Sequence, residues 1–185
     1  EWAIGAYAAY QLGAAWVPMY EAQQAKEWKF IMNDCGASVC FCATDEIART
    51  VRGLQAELPQ LKLVVSFDAQ ASDAGSFKAL LAKGEGQNSP VAAVAEEDIA
   101  AYIYTSGTTG NPKGVVLTHK NLAYNVSAIL DEFPVITSEF RSLSFLPWAH
   151  AFGQTAELHT LLGVGASLGI CEGVPKIIDN LAEVK

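Results

Sequence analysis

Apolar residues fill nearly every position from Trp2 to Leu12, which leaves almost no polar face and predicts a helix buried on most sides. Gly13 ends that pattern, and Ala15 to Met19 reads as a short strand. A second helix is predicted from about Ala22 to Asp34, closed by Gly36 where a left-handed backbone suits glycine. Ser38 to Ala43 is a continuous apolar strand. Thr44 then offers a hydroxyl to cap a third helix, with Asp45 and Glu46 placed to complement its dipole. Ile47, Val51, Leu54 and Leu58 recur at helical spacing until Pro59 closes the segment.

Leu61 to Phe67 is the next predicted strand. Residues 68 to 98, rich in Ala, Ser, Gly, Asp and Glu, read as a surface excursion without a domain boundary. It holds one short helix around Phe77 to Leu81. Strands follow at Ile99 to Tyr104 and Val115 to Leu117, then a helix from His119 to Phe133. Thr118 caps that helix, and Leu122, Val126, Ile129 and Phe133 form its inner face. Ser142 to Leu146 and Ala166 to Cys171 are strands, and Ala151 to Leu162 and Pro175 to Val184 are helices. Strands alternating with helices, several apolar on both faces, predict an α/β fold with a mostly parallel sheet and flanking helices. There is no internal repeat.

The totals narrow the function. The 185 residues suit one domain with a sizeable core, and 51% of them are hydrophobic against 17% charged. No apolar run approaches the roughly 20 residues of a membrane span, and no basic segment with an apolar core suggests a signal peptide. A net charge of -8 argues against a broad nucleic-acid surface. Cys35, Cys40, Cys42 and Cys171 lack paired zinc-site spacing, so no metal ligand set is expected and the cysteines read as reduced. That usage favours the cytoplasm, with peripheral attachment to a membrane left open for a longer parent protein. Strong apolar patterns at Trp2 and near Lys185 suggest a piece of a longer protein.

The candidate chemistry lies in residues 102–121, YIYTSGTTGNPKGVVLTHKN. Thr105, Ser106, Thr108 and Thr109 surround Gly107, Gly110 and Gly114, with Lys113 after Pro112. Backbone N–H groups and hydroxyls can converge on a phosphate, glycines permit close approach, and the lysine adds charge on a flexible stem. The run is not G-x-x-x-x-G-K-[ST] entering a helix, since Gly114 follows Lys113 and a strand follows the loop. Nor does it fit the kinase loop, which needs a glycine two residues after Gly107. Composition alone leaves an ordinary polar hairpin and a phosphate site as equal readings.

The stretch from Tyr104 to Asn121 resembles, without a gap, the phosphate-binding signature of the adenylate-forming (AMP-binding) superfamily of acyl-CoA synthetases, adenylation domains and luciferases. SFLPWAHAFG, from Ser144 to Gly153, resembles the family's L-P-x-x-[aromatic or His] motif beside the acyl pocket. Residues 6–41 more weakly resemble the family's early helix and strand. The resemblance covers nearly the whole chain.

That resemblance implies a part of the large N-terminal domain, residues 1–185 forming a single partial domain, with the mobile C-terminal domain absent. It implies ATP-dependent activation of a carboxylic acid to an acyl-adenylate, then transfer to the thiol of coenzyme A, with Mg2+ as cofactor. Thr105, Ser106, Gly107, Thr108, Thr109, Gly110, Lys113 and Gly114 would bind the nucleotide phosphates, and His150 would stand beside the substrate carboxylate. His119 is expected in a first helical turn without chemistry, and His159 as packing. The segment from Gly165 to Lys185, together with Glu157, resembles long-chain fatty acyl-CoA synthetases, which makes a fatty acid the first expectation. Gly153-Gln154 stands where those enzymes usually carry Glu-Arg, and H-x-F-G is commoner in luciferase-like and aryl-acid ligases. An aryl or amino acid loaded on a carrier protein, or nucleotide binding without chemistry, are the alternatives. The family's later motifs do not occur, so this piece alone is expected to be inactive, and a truncated sheet is expected to self-associate.

Overall fold

A computed structural model describes residues 1–105 and 111–184. The chain divides into two compact units, Glu1–Val94 with Tyr104–Val115, and Ala95–Ile103 with Val116–Lys185.

The first unit begins with α1 (Trp2–Gln11). Only Gly5 and Ala6 of this helix are buried, whereas Ile4, Tyr7 and Leu12 are exposed, so the expected all-round burial is not found. The buried stripe has a local cause. A side chain on Gly5 would stand 3.2 Å from the Trp16 ring, and its absence lets the indole lie against the helix. Trp16 thereby joins Trp2 and Phe41 in an aromatic cluster that continues to Phe67 and Phe77. The strand expected over 15–19 is reduced to a single bridge at Trp16.

α2 (Ala25–Asp34) starts three residues later than its apolar pattern suggests, because Gln24 and Glu27 form a reciprocal capping box around its first turn. Gly36 follows with φ +65°, as its place after the helix predicts. β1 (Val39–Cys42) pairs in parallel with β2 (Leu63–Ser66), Val39 opposite Leu63 and Cys42 opposite Ser66. Between them runs α3 (Asp45–Leu54), whose Ile47 N–H donates to the Thr44 hydroxyl at 3.3 Å. Trp28, Met32, Cys40, Cys42, Val51 and Val64 close the core of this unit. The Cys40 and Cys42 sulfurs lie 3.8 Å apart within it, as free thiols. α4 (Phe77–Gly84) is longer than expected and is capped by Ser76, whose hydroxyl accepts from the Ala79 N–H at 3.0 Å.

β3 (Ile99–Thr105) and β4 (Lys113–Thr118) pair with each other. α5 (His119–Glu132) follows, its first turn closed by a capping box between Thr118 and Asn121. Leu122 is buried as expected. Phe133, in contrast, falls beyond the helix and is 54% exposed, so the inner face is shorter than the spacing suggested. β5 (Arg141–Ser144) pairs in parallel with β6 (Ser167–Ile170). A π-helix (Gly153–His159) runs directly into α6 (Thr160–Val164), and α7 (Ile177–Glu183) completes the unit. Buried Asn180 anchors α7 by donating to Glu172 Oε2 and accepting from the Glu172 N–H. Among the described residues the strands form three two-stranded sheets, and the α/β class stands.

Candidate functional site

The glycine- and hydroxyl-rich run occupies the connection between two paired strands. Thr105 is the last residue of β3 and Lys113 the first of β4, and both are exposed. Gly114 follows on β4. Ser106, Gly107, Thr108, Thr109 and Gly110 lie outside the described residues. The run therefore leads from one strand into another, as the sequence implies, and not into a helix as in P-loop enzymes. Among the described residues no acidic side chain pairs with Lys113, nor with Lys26, Lys62, Lys78 or Lys83, whereas Lys29, Arg49, Arg52, Lys120 and Lys176 hold carboxylate partners.

His150 belongs to the other unit, in the turn between β5 and the π-helix. Its backbone N–H donates to Pro147 O at 3.0 Å, and its carbonyl accepts from the Gln154 N–H at 2.9 Å. The ring Nδ1 accepts from the Phe152 N–H at 3.2 Å. That bond selects the tautomer with its hydrogen on Nε2, so the exposed ring presents an N–H donor. The turn is braced from below. Ser144 Oγ accepts from the Trp148 indole at 2.9 Å and donates to Glu157. Sequence reasoning placed Glu157 near this motif but could not see its bond to Ser144, or the π-helix that presents it. A π-helix has no distinctive residue pattern, and such segments often mark functional sites.

Gly153 opens the π-helix at a point of close approach. A Cβ there would stand 2.6 Å from Pro147 O and 3.1 Å from Leu146 Cβ. His119 is the first residue of α5, with its backbone N–H donating to Asp98 O at 3.1 Å. His159 is buried in the π-helix, which fits its expected packing role. Burial pushes its pKa down from 6.5 to about 4. A base held neutral in the folded protein binds its proton more readily once unfolded. Its stabilising contribution is thus complete above pH 6.5 and is lost as pH falls towards 4. Between pH 7.5 and pH 5 the loss should reach about 2 kcal/mol. Urea unfolding at both pH values checks this, with His159→Gln expected to flatten the difference.

Among the described residues no three His, Cys, Asp or Glu side chains are grouped to hold a metal ion. These residues therefore supply no carboxylate set for magnesium. No helix among them is long and apolar enough to cross a membrane.

The chain belongs to the AMP-binding enzyme family, whose model matches residues 1–184. It is 30% identical, over its whole length, to the peroxisomal long chain acyl-CoA synthetase 7 of Arabidopsis thaliana, of which it covers 28%. Over 90% of its length it is 36% identical to the 3-[(3aS,4S,7aS)-7a-methyl-1,5-dioxo-octahydro-1H-inden-4-yl]propanoyl:CoA ligase of Mycobacterium tuberculosis, covering 34% of that protein. In structure it resembles ATP-bound MatB from Rhodopseudomonas palustris, with a TM-score of 0.82, 23% identity, and coverage of 99% of this chain and 35% of the other. The chain thus spans about a third of the length of the curated relatives it matches.

Proposed function

We propose that this chain is the phosphate-holding part of an enzyme that activates a fatty acid with ATP. The carboxylate attacks the α-phosphorus, pyrophosphate leaves, and the resulting acyl-adenylate passes its acyl group to the thiol of coenzyme A with release of AMP. The observation that carries this reading is the setting of Thr105 and Lys113, both exposed, at the end of β3 and the start of β4, two strands that pair with each other. Thr105 and Lys113, with Ser106 to Gly110 between them, hold the β- and γ-phosphates and draw charge from the departing pyrophosphate. His150 orients the substrate carboxylate through Nε2–H. Magnesium, if bound with the nucleotide, would supply further charge neutralisation, and the described residues offer no carboxylate set of their own for it. The identity to a long chain acyl-CoA synthetase over the whole chain supports the fatty acid. On this reading residues 1–185 are part of one large nucleotide-binding domain, and the four free cysteines suit a reducing cytoplasm.

A second reading of the substrate has its own support. The 36% identity to a ligase for a ring-bearing propanoate, with Gly153-Gln154 in the acyl motif, favours a bulky cyclic acid. ATP–pyrophosphate exchange by the full-length protein, against straight-chain, cyclic, aryl and amino acids, separates the two. Exchange driven by straight-chain acids is expected. Exchange driven only by cyclic acids keeps the chemistry and replaces the substrate, and ATP binding without exchange removes the enzymatic reading.

A further inference from the structure

Tyr104 sits on β3 next to Thr105, and Gly114 sits on β4 next to Lys113, so the two residues flank the phosphate run on its strand side. They touch. A Cβ on Gly114 would lie 3.0 Å from Tyr104 Cζ and 3.3 Å from both Cε atoms, so the phenol ring covers the glycine face-on. The same phenol donates its hydroxyl hydrogen to Asp34 Oδ2 at 2.6 Å. Asp34 is the last residue of α2, a helix held in the core of the first unit through Trp28 and Met32. A short bond to a carboxylate is among the stronger hydrogen bonds, and here it ties a strand end to a rigid element 70 residues away in sequence.

We propose that Tyr104, Asp34 and Gly114 form a positioning clamp that sets the separation of Thr105 and Lys113, and with it the affinity for the phosphates of ATP. The proposal rests on the phosphate-holding role given above. The bond to Asp34 pins the ring over Gly114, so that the end of β3 and the start of β4 keep their spacing before ATP arrives and binding costs less ordering. Glycine at position 114 follows from the ring above it, and no contact of its own with phosphate is needed to explain it.

Two readouts on the full-length protein test the clamp. Lys113–Gly114 is itself a trypsin-cleavable bond, and cleavage of a folded strand reports how often it opens. Tyr104→Phe and Asp34→Ala should each speed that cut by about tenfold, while Asp34→Asn, which keeps an acceptor oxygen, should stay within about threefold of the parent. The double variant Tyr104→Phe/Asp34→Ala should be no faster than either single variant, because both remove the same bond. In parallel, Tyr104→Phe should raise the KM for ATP by about tenfold and leave unchanged the KM for the acid and the rate from preformed acyl-adenylate. Unaltered cleavage in both single variants, or multiplied effects in the double, overturns the clamp. Equal losses for ATP, acid and preformed adenylate overturn its positioning role. If no acid supports exchange in the parent, the enzymatic reading fails on that ground, and the trypsin series still decides the clamp.

Discussion

Lys113→Met in the full-length protein is expected to lower acid-dependent ATP–pyrophosphate exchange by about a hundredfold or more, the usual scale for removing one preorganised charge donor. Thioester formation from a synthetic acyl-adenylate and coenzyme A should keep most of its rate, because pyrophosphate has already left. The physical argument begins with exposure. Lys113 stands exposed at the start of β4, and no carboxylate among the described residues neutralises its charge. Pro112 before it fixes the backbone from which the long side chain reaches. The substitution leaves an exposed position and should change stability by less than about 0.5 kcal/mol. Loss of activity with an unshifted unfolding curve is therefore the expected pair of results. Equal losses in both half-reactions would place Lys113 outside the pyrophosphate-releasing step.

Much of the fold was legible because it is written locally. Thr44 and Thr118 announce their helices through hydroxyl caps, Gly36 takes the left-handed backbone its position predicts, and the β1 and β2 segments stand out as short apolar runs. Errors arose where tertiary contact overrode local pattern. Ala15 to Met19 has the composition of a strand, yet Trp16 turns into an aromatic cluster against Gly5 and Phe41 instead. Phe133 continues the apolar period of α5 but lies past the helix end. For the candidate site, residue types and spacing pointed to Thr105, Lys113, Gly114 and His150; the first three lie at the ends of two paired strands and His150 in a turn before the π-helix. The middle of the loop, residues 106–110, lies outside the described residues. What no spacing could reveal are the bonds that hold these groups: Tyr104 to Asp34, His150 Nδ1 to its own helix start, and Ser144 to Glu157. Such pairings depend on the third dimension, and a single sequence does not encode them as a period.

Gly153→Ala should destabilise the protein by about 3 kcal/mol, at the upper end of what one added methyl group does in a packed site. The reason is the identity of the neighbour. The new Cβ would sit 2.6 Å from Pro147 O, a backbone atom that also accepts the His150 N–H, so no side chain can swing aside to make room. Either the turn over residues 147–150 or the first turn of the π-helix must move. Moving the turn displaces His150 and strains the Trp148–Ser144–Glu157 chain beneath it. On the proposed function, KM for the acid should then rise more than KM for ATP, since His150 faces the carboxylate and the phosphates are held elsewhere. Gly163→Ala provides the control within the same unit. Its nearest neighbour would be Val126 Cγ1 at 3.8 Å, an ordinary contact, and alanine favours the helix it joins by up to about 1 kcal/mol. Urea unfolding of both variants should therefore show opposite signs, or a large loss against none. Equal losses would trace both to a general intolerance of the helix, and the close approach at Pro147 would cease to explain why position 153 is glycine.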